Sequence, residues 1–514
     1  MNFRNAIGYA LLAGGVAVLG LPSGPTPVAL MAGLLVLIRL ICQFPPRQGA
    51  WLGFYFGLSY FSLGFSWLLT SLHQFGDIPF VGSLLMLLLF SAAMALYPAL
   101  FGALLTRLAP RPMLLPLVAP ALWVLTEWLR SRLFGGFAWN LVGYGWDRWI
   151  EFLQIADLGG VFLLSWLMVL PAAVGAALWL RPATKREVGI ACGTIALLMA
   201  LVFAYGNWRI TTLADRPEKE KPPIIRVAIV QGNIPQQLKW ATDQQKSTLD
   251  RYLELSRSLS LPVDLVVWPE TAMPFFFRSH PDYLARISQL SQEIAAPILT
   301  GAPMVDREEE NEPWRYYNSM LMLDETGSLE QRYDKYHLVP FGEYIPLRAF
   351  VPATFSKFTA GTEDFSSGPG PLPLSWDKGD IGPLICYEAI FPDEVRALAD
   401  TGVRWLVNIT NDAWFGDSAK PQHLAMVRLR GIENRLPMVR SANTGISAVF
   451  DEIGQELARI APDQAGAVVV ALHQGSGQSF YRSYGDLWLG IWFGLLGLAG
   501  ILEKKLPPAR RYSG

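Results

Sequence analysis

A chain of 514 residues with 52% apolar side chains and a formal net charge of −1 has room for more than one domain, and its apolar content is high for an ordinary soluble protein. Lys and Arg are interspersed with Asp and Glu and form no long basic run, which excludes a nucleic-acid-binding face. Three cysteines (Cys42, Cys192, Cys386) and five scattered histidines give neither a disulfide framework nor metal-ligand spacing, so no metal and no cofactor are expected.

Charge is unevenly placed. Of the 85 Asp, Glu, Lys and Arg residues, 17 fall in positions 1–206 and 62 in 207–484. The first region reads as a seven-helix membrane region, because a span needs about 20 apolar residues and such runs occur near 5–21, 26–43, 51–72, 79–106, 112–130, 152–180 and 187–206. An eighth follows at 485–502, and 503–514 reads as a tail. The first run, after Arg4, has the shape of a secretory signal, but the spans that follow favour a retained helix. Arg47, Arg107, Arg111, Arg181, Lys185 and Arg186 all lie in loops that face the cytoplasm if the N-terminus does, and Lys504, Lys505, Arg510 and Arg511 extend the same asymmetry. Residues 207–484 then lie outside, which in a bacterial cell is the periplasm, beyond an inner membrane crossed many times.

The loop 131–151 gathers Phe134, Phe137, Trp139, Tyr144, Trp146 and Trp149 among glycines. An interfacial aromatic belt is the plain reading. Trp139 and Trp146 are also candidates for lipid contact at an entry to a site.

After a polar linker, Pro217–Pro223, the 207–484 block alternates short β-branched runs with helical patterns. Strands are expected at Ile224–Val230, Leu265–Val267, Pro297–Thr300, Asp380–Cys386, Trp405–Ile409 and Gly445–Phe450, and helices at 243–260, 281–294 and 422–434. That order indicates a layered α/β architecture in about 270 residues.

Three short segments carry reactive groups. Val-Val-Trp-Pro leads to Glu270, where Pro269 stops a central ladder and turns the carboxylate to a cleft. Lys335 lies in Tyr-Asp-Lys, and Cys386 ends an apolar run before Tyr387 and Glu388. Each alone reads as ordinary: a solvated acid, a surface lysine, a buried thiol. Together they supply a base, an oxyanion-stabilising cation and a nucleophile, the parts of acyl transfer through a thioester. His337 and His423 suggest a Cys–His pair, but the Glu–Lys–Cys order accounts for more residues. Phe275, Phe276 and Phe277 follow Glu270, and Trp414 and Phe415 occupy another loop; these are candidates for lids that touch lipid, with core packing as the alternative.

Gly-Asn at 232–233, Trp-Pro-Glu at 268–270, Tyr-Asp-Lys at 333–335, Pro-Phe-Gly-Glu at 340–343, Cys-Tyr-Glu at 386–388 and Asn-Asp-Ala-Trp-Phe at 411–415 resemble the nitrilase superfamily, in chain order. The resemblance implies a four-layer α-β-β-α sandwich with Glu270, Lys335 and Cys386 catalytic. It gives supporting roles to Glu343 (holding Lys335), to Tyr387 and Glu388 (shaping an oxyanion pocket) and to Trp240. With seven helices before and one after, the whole chain resembles the apolipoprotein N-acyltransferases. This implies transfer of a fatty acyl chain from a phospholipid, commonly phosphatidylethanolamine, to the α-amino group of an S-diacylglyceryl cysteine on an apolipoprotein. The rivals are a membrane-anchored amidase that uses water as acceptor, and a transporter or receptor with a degenerate domain of this type. Spans beyond the one needed for anchoring count against the first. The intact Glu–Lys–Cys set counts against the second.

Overall fold

The computed structural model describes the chain except residues 23, 109–110, 217–222, 240, 308–311, 347–363 and 504–514. The linker expected over Pro217–Pro223, Trp240 and the cationic tail therefore lie largely or wholly outside the described residues. The chain forms two compact units: residues 1–69, 79–215 and 483–514 in one, 70–78 and 216–482 in the other.

In the first unit, helices stand at all eight expected places: Phe3–Val18, Pro27–Cys42, Pro46–Gly64, Phe80–Leu108, Leu115–Arg130, Ala156–Trp179, Lys185–Ala214 and Leu487–Glu503. Length and composition suffice for crossing a membrane in Phe80–Leu108, Pro112–Arg130, Ala156–Trp179 and Lys185–Ala214, whereas Phe3–Val18 and Pro27–Cys42 are apolar but shorter. The most apolar stretch of Lys185–Ala214 has none of its residues buried. In water that surface would be an aggregation liability, and in lipid it is the expected state. Its start is fixed by a capping box, Thr184 with Glu187. Because this helix runs to Ala214, the boundary falls later than 207.

One feature differs from expectation. The run at 51–72 is helical only over Pro46–Gly64, and Thr70–Phe75 forms a π-helical turn that belongs to the second unit. Phe80–Leu108 is one continuous helix despite Pro98. It packs on Pro46–Gly64 through small residues spaced four apart, Gly49, Gly53 and Gly57, which face Gly102, Pro98 and Ala95. A Cβ at Gly53 would stand 2.0 Å from the Pro98 carbonyl oxygen, so the close approach depends on glycine.

Buried charge in this unit secures the aromatic loop. Arg130 donates to the carbonyls of Phe137 (2.8 Å), Trp139 (2.7 Å) and Asn140 (3.3 Å), and Glu127 accepts from Val142 N–H (2.8 Å) and Trp123 Nε1 (3.1 Å). Trp139 is buried against Trp67, and Trp146 stacks on Phe152 while donating to the Leu164 carbonyl. Both are core residues of the helical unit and not lipid-facing ones, because their rings fill the gap that the loop spans. Phe134, at φ +58°, is the loop residue that projects, 99% exposed.

The second unit is built on two sheets. Strands β1 (Ile224–Gln231), β2 (Leu265–Val267) and β3 (Ile298–Asp306) run parallel, and β4 (Arg315–Leu323) and β5 (Leu329–Asp334) extend them antiparallel. In the other sheet β6 (Ile381–Ile385), β7 (Trp405–Thr410) and β8 (Met438–Ala442) are parallel, and β9 (Ser447–Phe450) and β10 (Glu456–Ile460) antiparallel. The last strand, β11 (Gly466–His473), returns to pair with β1, giving sheet orders β11-β1-β2-β3-β4-β5 and β10-β9-β8-β7-β6.

Alternation along β1 shows the layering. Ile225, Val227 and Ile229 enter the core between the sheets with Ile381, Val407 and Val439, while Ala228 and Val230 face the core under helices Gln245–Arg257 and Pro281–Ile294. Helices Pro392–Asp400 and Ala419–Asn434 cover the other sheet over a third core that includes Leu398, Leu406 and Val427. The result is the expected α-β-β-α sandwich. The ends of β2 and β6, parallel strands in the two sheets, and of the antiparallel β5 supply the residues described next.

Candidate active site

Glu270 follows β2 by three residues. Trp268 continues the pairing through its N–H to the Leu299 carbonyl (2.8 Å) and is locked by an indole bond to Ser256 (3.0 Å). Glycine at 301 lets the Glu270 backbone press on β3, since a Cβ there would lie 2.7 Å from Glu270 Cα. The carboxylate is buried and oriented at both oxygens: Oε1 accepts from Asn318 Nδ2 (2.7 Å) and Oε2 from the Asn411 N–H (2.8 Å).

Lys335 follows β5, its N–H bonded to the Asn318 carbonyl (2.9 Å). Its buried Nζ lies 2.9 Å and 2.8 Å from the two oxygens of Glu343. Burial would depress this ammonium, but the negative charges of Glu343, Cys386 and Glu270 outweigh it and hold the pKa above the ordinary lysine value. Glu343 also accepts from Asn318 Nδ2 (2.8 Å) and Val339 N–H (2.8 Å). Asn318 thus bridges Glu270 and Glu343 through one nitrogen.

Cys386 ends β6 at φ +53°, a left-handed conformation that is strained for a residue with a side chain. Its thiol is buried, which pushes its pKa up; the charge of Glu270 adds to the rise, and that of Lys335 opposes it. The resting group is therefore a thiol that requires a base. Glu388 secures the turn: Oε2 accepts from Ile385 N–H (2.7 Å), and Oε1 from Tyr333 Oη (2.7 Å), Tyr336 N–H (2.8 Å) and His337 N–H (3.2 Å). With both oxygens committed to these donors, Glu388 fixes the turn that carries Cys386. Burial raises its pKa to about 7. Tyr387 packs edge-on against His337 and Phe391.

A buried network lies behind the cysteine. His423 points Nε2 at the Cys386 carbonyl oxygen (3.3 Å) and Nδ1 at Asp412 (3.1 Å), and Arg440 bonds Asp412 (2.6 Å) and Asn408. Burial, then Arg440, lowers the His423 pKa, so it stays neutral. His423 addresses the peptide of Cys386, and His337 pairs with Glu394 (2.6 Å), which leaves a Cys–His pair unsupported.

The aromatic candidates separate. Phe275 and Phe277 are buried under the β1–β4 sheet, and Phe276 alone of the three is exposed, so core packing prevails at two of three positions. Trp414 and Phe415 are half-buried. Trp414 is held by Ser71, whose hydroxyl donates to its carbonyl (2.6 Å), and by the Phe75 ring; Phe415 sits against His423. Asn318, Thr410 and Lys239 lie near the site and escape a sequence reading, since an amide or hydroxyl inside a strand, or a lysine in a polar stretch, carries no chemical signal.

This fold, with a buried carboxylate, ammonium and thiol just after β2, β5 and β6, is that of a carbon–nitrogen hydrolase type of enzyme. Residues 226–482 match the carbon-nitrogen hydrolase family model, and residues 13–174 match the apolipoprotein N-acyltransferase N-terminal domain. The chain is 38% identical over 487 residues to the apolipoprotein N-acyltransferase of Geobacter metallireducens, covering 93% of this chain and 91% of that one. It is 33% identical to that of Methylococcus capsulatus (96% of each) and 31% to that of Vibrio parahaemolyticus (93% of each). The chain belongs to the apolipoprotein N-acyltransferase family.

Proposed function

We infer that this protein N-acylates apolipoproteins through a thioester on Cys386. The observation that carries this reading is geometric: Asn318 Nδ2 bridges Glu270 to Glu343, Glu343 holds the buried Lys335 ammonium, and Glu388 ties the Cys386 turn to the backbone after Lys335, in a chain that also has helices fit to cross a membrane. Glu270 takes the thiol proton as sulfur attacks an ester carbonyl of a phospholipid, with phosphatidylethanolamine the donor proposed. Lys335, kept charged by Glu343, stabilises the oxyanion. As the C–O bond breaks, Glu270 returns the proton to the glycerol oxygen, and the lysophospholipid leaves an acyl-Cys386 thioester. The α-amine of an S-diacylglyceryl cysteine then attacks. The C–S bond breaks, the amine proton passes by way of Glu270 to the thiolate, and an amide results. This is a ping-pong cycle.

Eight spans with a cytoplasmic N-terminus, as the loop cations favour, would set the catalytic unit in the periplasm beside its lipid donor. An amide donor, with water as the acceptor, would give the amidase alternative, which the family relationship disfavours.

The test is to incubate the purified protein with vesicles of labelled phosphatidylethanolamine and follow intact mass. A hydroxylamine-labile acyl adduct is expected, absent in Cys386→Ala, and discharged as N-acyl product by a diacylglyceryl lipopeptide. An adduct on Cys386→Ala, or discharge only as free fatty acid, would overturn the reading.

A further inference from the structure

Lys239 lies in the polar stretch after β1, where a lysine is normally solvated. Here it is 1% exposed, at the end of the short helix Gln236–Lys239, and Nζ donates to the Glu270 carbonyl oxygen (2.9 Å). The same helix reaches Glu270 by a second route. Gln236 Oε1 accepts from Asn411 Nδ2 (2.6 Å), and Asn411 N–H is the donor to Glu270 Oε2. Asn443 anchors the start of the segment, accepting from Ile234 N–H (2.9 Å) and donating to the Ile234 carbonyl (2.8 Å). A desolvated ammonium is costly unless charge answers it. The titratable groups facing Lys239 are Glu270 and Cys386, and its direct acceptor is a peptide carbonyl. Lys335 differs, since both oxygens of Glu343 answer its charge.

We propose that Lys239 is a positioning residue for Glu270, a second cation that the Gln236–Lys239 helix brings to the peptide of the general base. Its hydrogen bond fixes that peptide, and its charge steadies the negative charge that passes between Glu270 and Cys386 during acylation. The proposal rests on the assignment of Glu270 and Cys386 above. Burial lowers the Lys239 pKa to about 8 against the opposing charges, so the positive charge is present at neutral pH and lost above that value.

The experiment measures acylation of Cys386 in the full-length protein from phosphatidylethanolamine vesicles, between pH 6 and 10, for wild type, Lys239→Met and Lys239→Arg. Lys239→Met is expected to slow acylation by about 100-fold, within the range of an impaired general base, with KM for the phospholipid changed by less than about threefold. Wild type is expected to lose rate above pH ~8, and Lys239→Arg, whose guanidinium stays charged, to keep most of the rate and to lack that alkaline limb. Rates for both variants within about threefold of wild type, or equal slowing with an unchanged pH profile, would overturn the proposal. Cys386→Ala separates the two levels. An adduct on that variant defeats the nucleophile assignment, whereas its absence beside normal Lys239 variants defeats only this inference.

Discussion

The two units bury charge for different ends. In the helical unit, Arg130 spends its guanidinium on three carbonyls and Glu127 takes a backbone N–H, so both are fasteners for the loop after Arg130. In the α/β unit, Lys335, Glu343, Glu270 and Cys386 act on one another, and neutral groups such as Asn318 and the Asn411 N–H orient the two carboxylates. Buried ions cost several kcal/mol each wherever they lie. What they return is shape in the first case and reactivity in the second.

Lys335→Met should break the second pattern most severely. It leaves Glu343 buried without its ammonium, a loss of about 3–5 kcal/mol in stability, and removes an oxyanion partner, worth about 100- to 1,000-fold in turnover. Adding Glu343→Gln should recover much of the stability and none of the rate, as thermal unfolding and thioester formation would report. Rate recovery in the double variant would mean that the pair serves shape alone.

Arg130→Met probes the first pattern. Unfolding in detergent should occur at lower temperature, with a loss of about 3 kcal/mol from the uncovered carbonyls and Glu127. Acylation of Cys386 by a short, water-soluble thioester should stay within about threefold of wild type. Equal collapse of both would erase the distinction between the units.

Glu388 sharpens the comparison within the α/β unit, where it is a fastener by contact but titrates like a site residue. Its carboxyl rises from an ordinary 4.5 to about 7, so the folded state holds its proton where the unfolded chain has released it. Its contribution to stability is complete below pH ~4.5 and is lost as pH rises toward 7, about 3 kcal/mol in all. Melting temperature followed from pH 5 to 7.5 should show this decline in wild type. The slope should be missing in Glu388→Gln, which starts from a lower stability because an amide cannot accept at both ends.

Much of this was legible in the chain. Apolar runs located β1, β2, β6 and β7, and Glu270 and Cys386 stood where two of those runs stop, because a strand end is where a side chain leaves the ladder. Strands β4, β5 and β10 were harder to read, since polar residues such as Arg315, Glu330 and Glu456 interrupt their alternation. Three phenylalanines in a row cannot say which ring turns inward; that depends on the φ/ψ of a loop. Lys239 shows the same limit. A lysine beside Leu238 looks like any solvated one until the fold brings a carbonyl to it.

Asn318 carries a consequence for proton traffic. Its one amide nitrogen donates to both Glu270 and Glu343. A hydroxyl or a water there could pass a proton from one carboxylate to the other, but an amide N–H is far too weak an acid to relay. In the proposed cycle the shuttle is thereby confined to Glu270, and Glu343 keeps its place beside Lys335 throughout. The amide insulates the two carboxylates from each other while it binds them together.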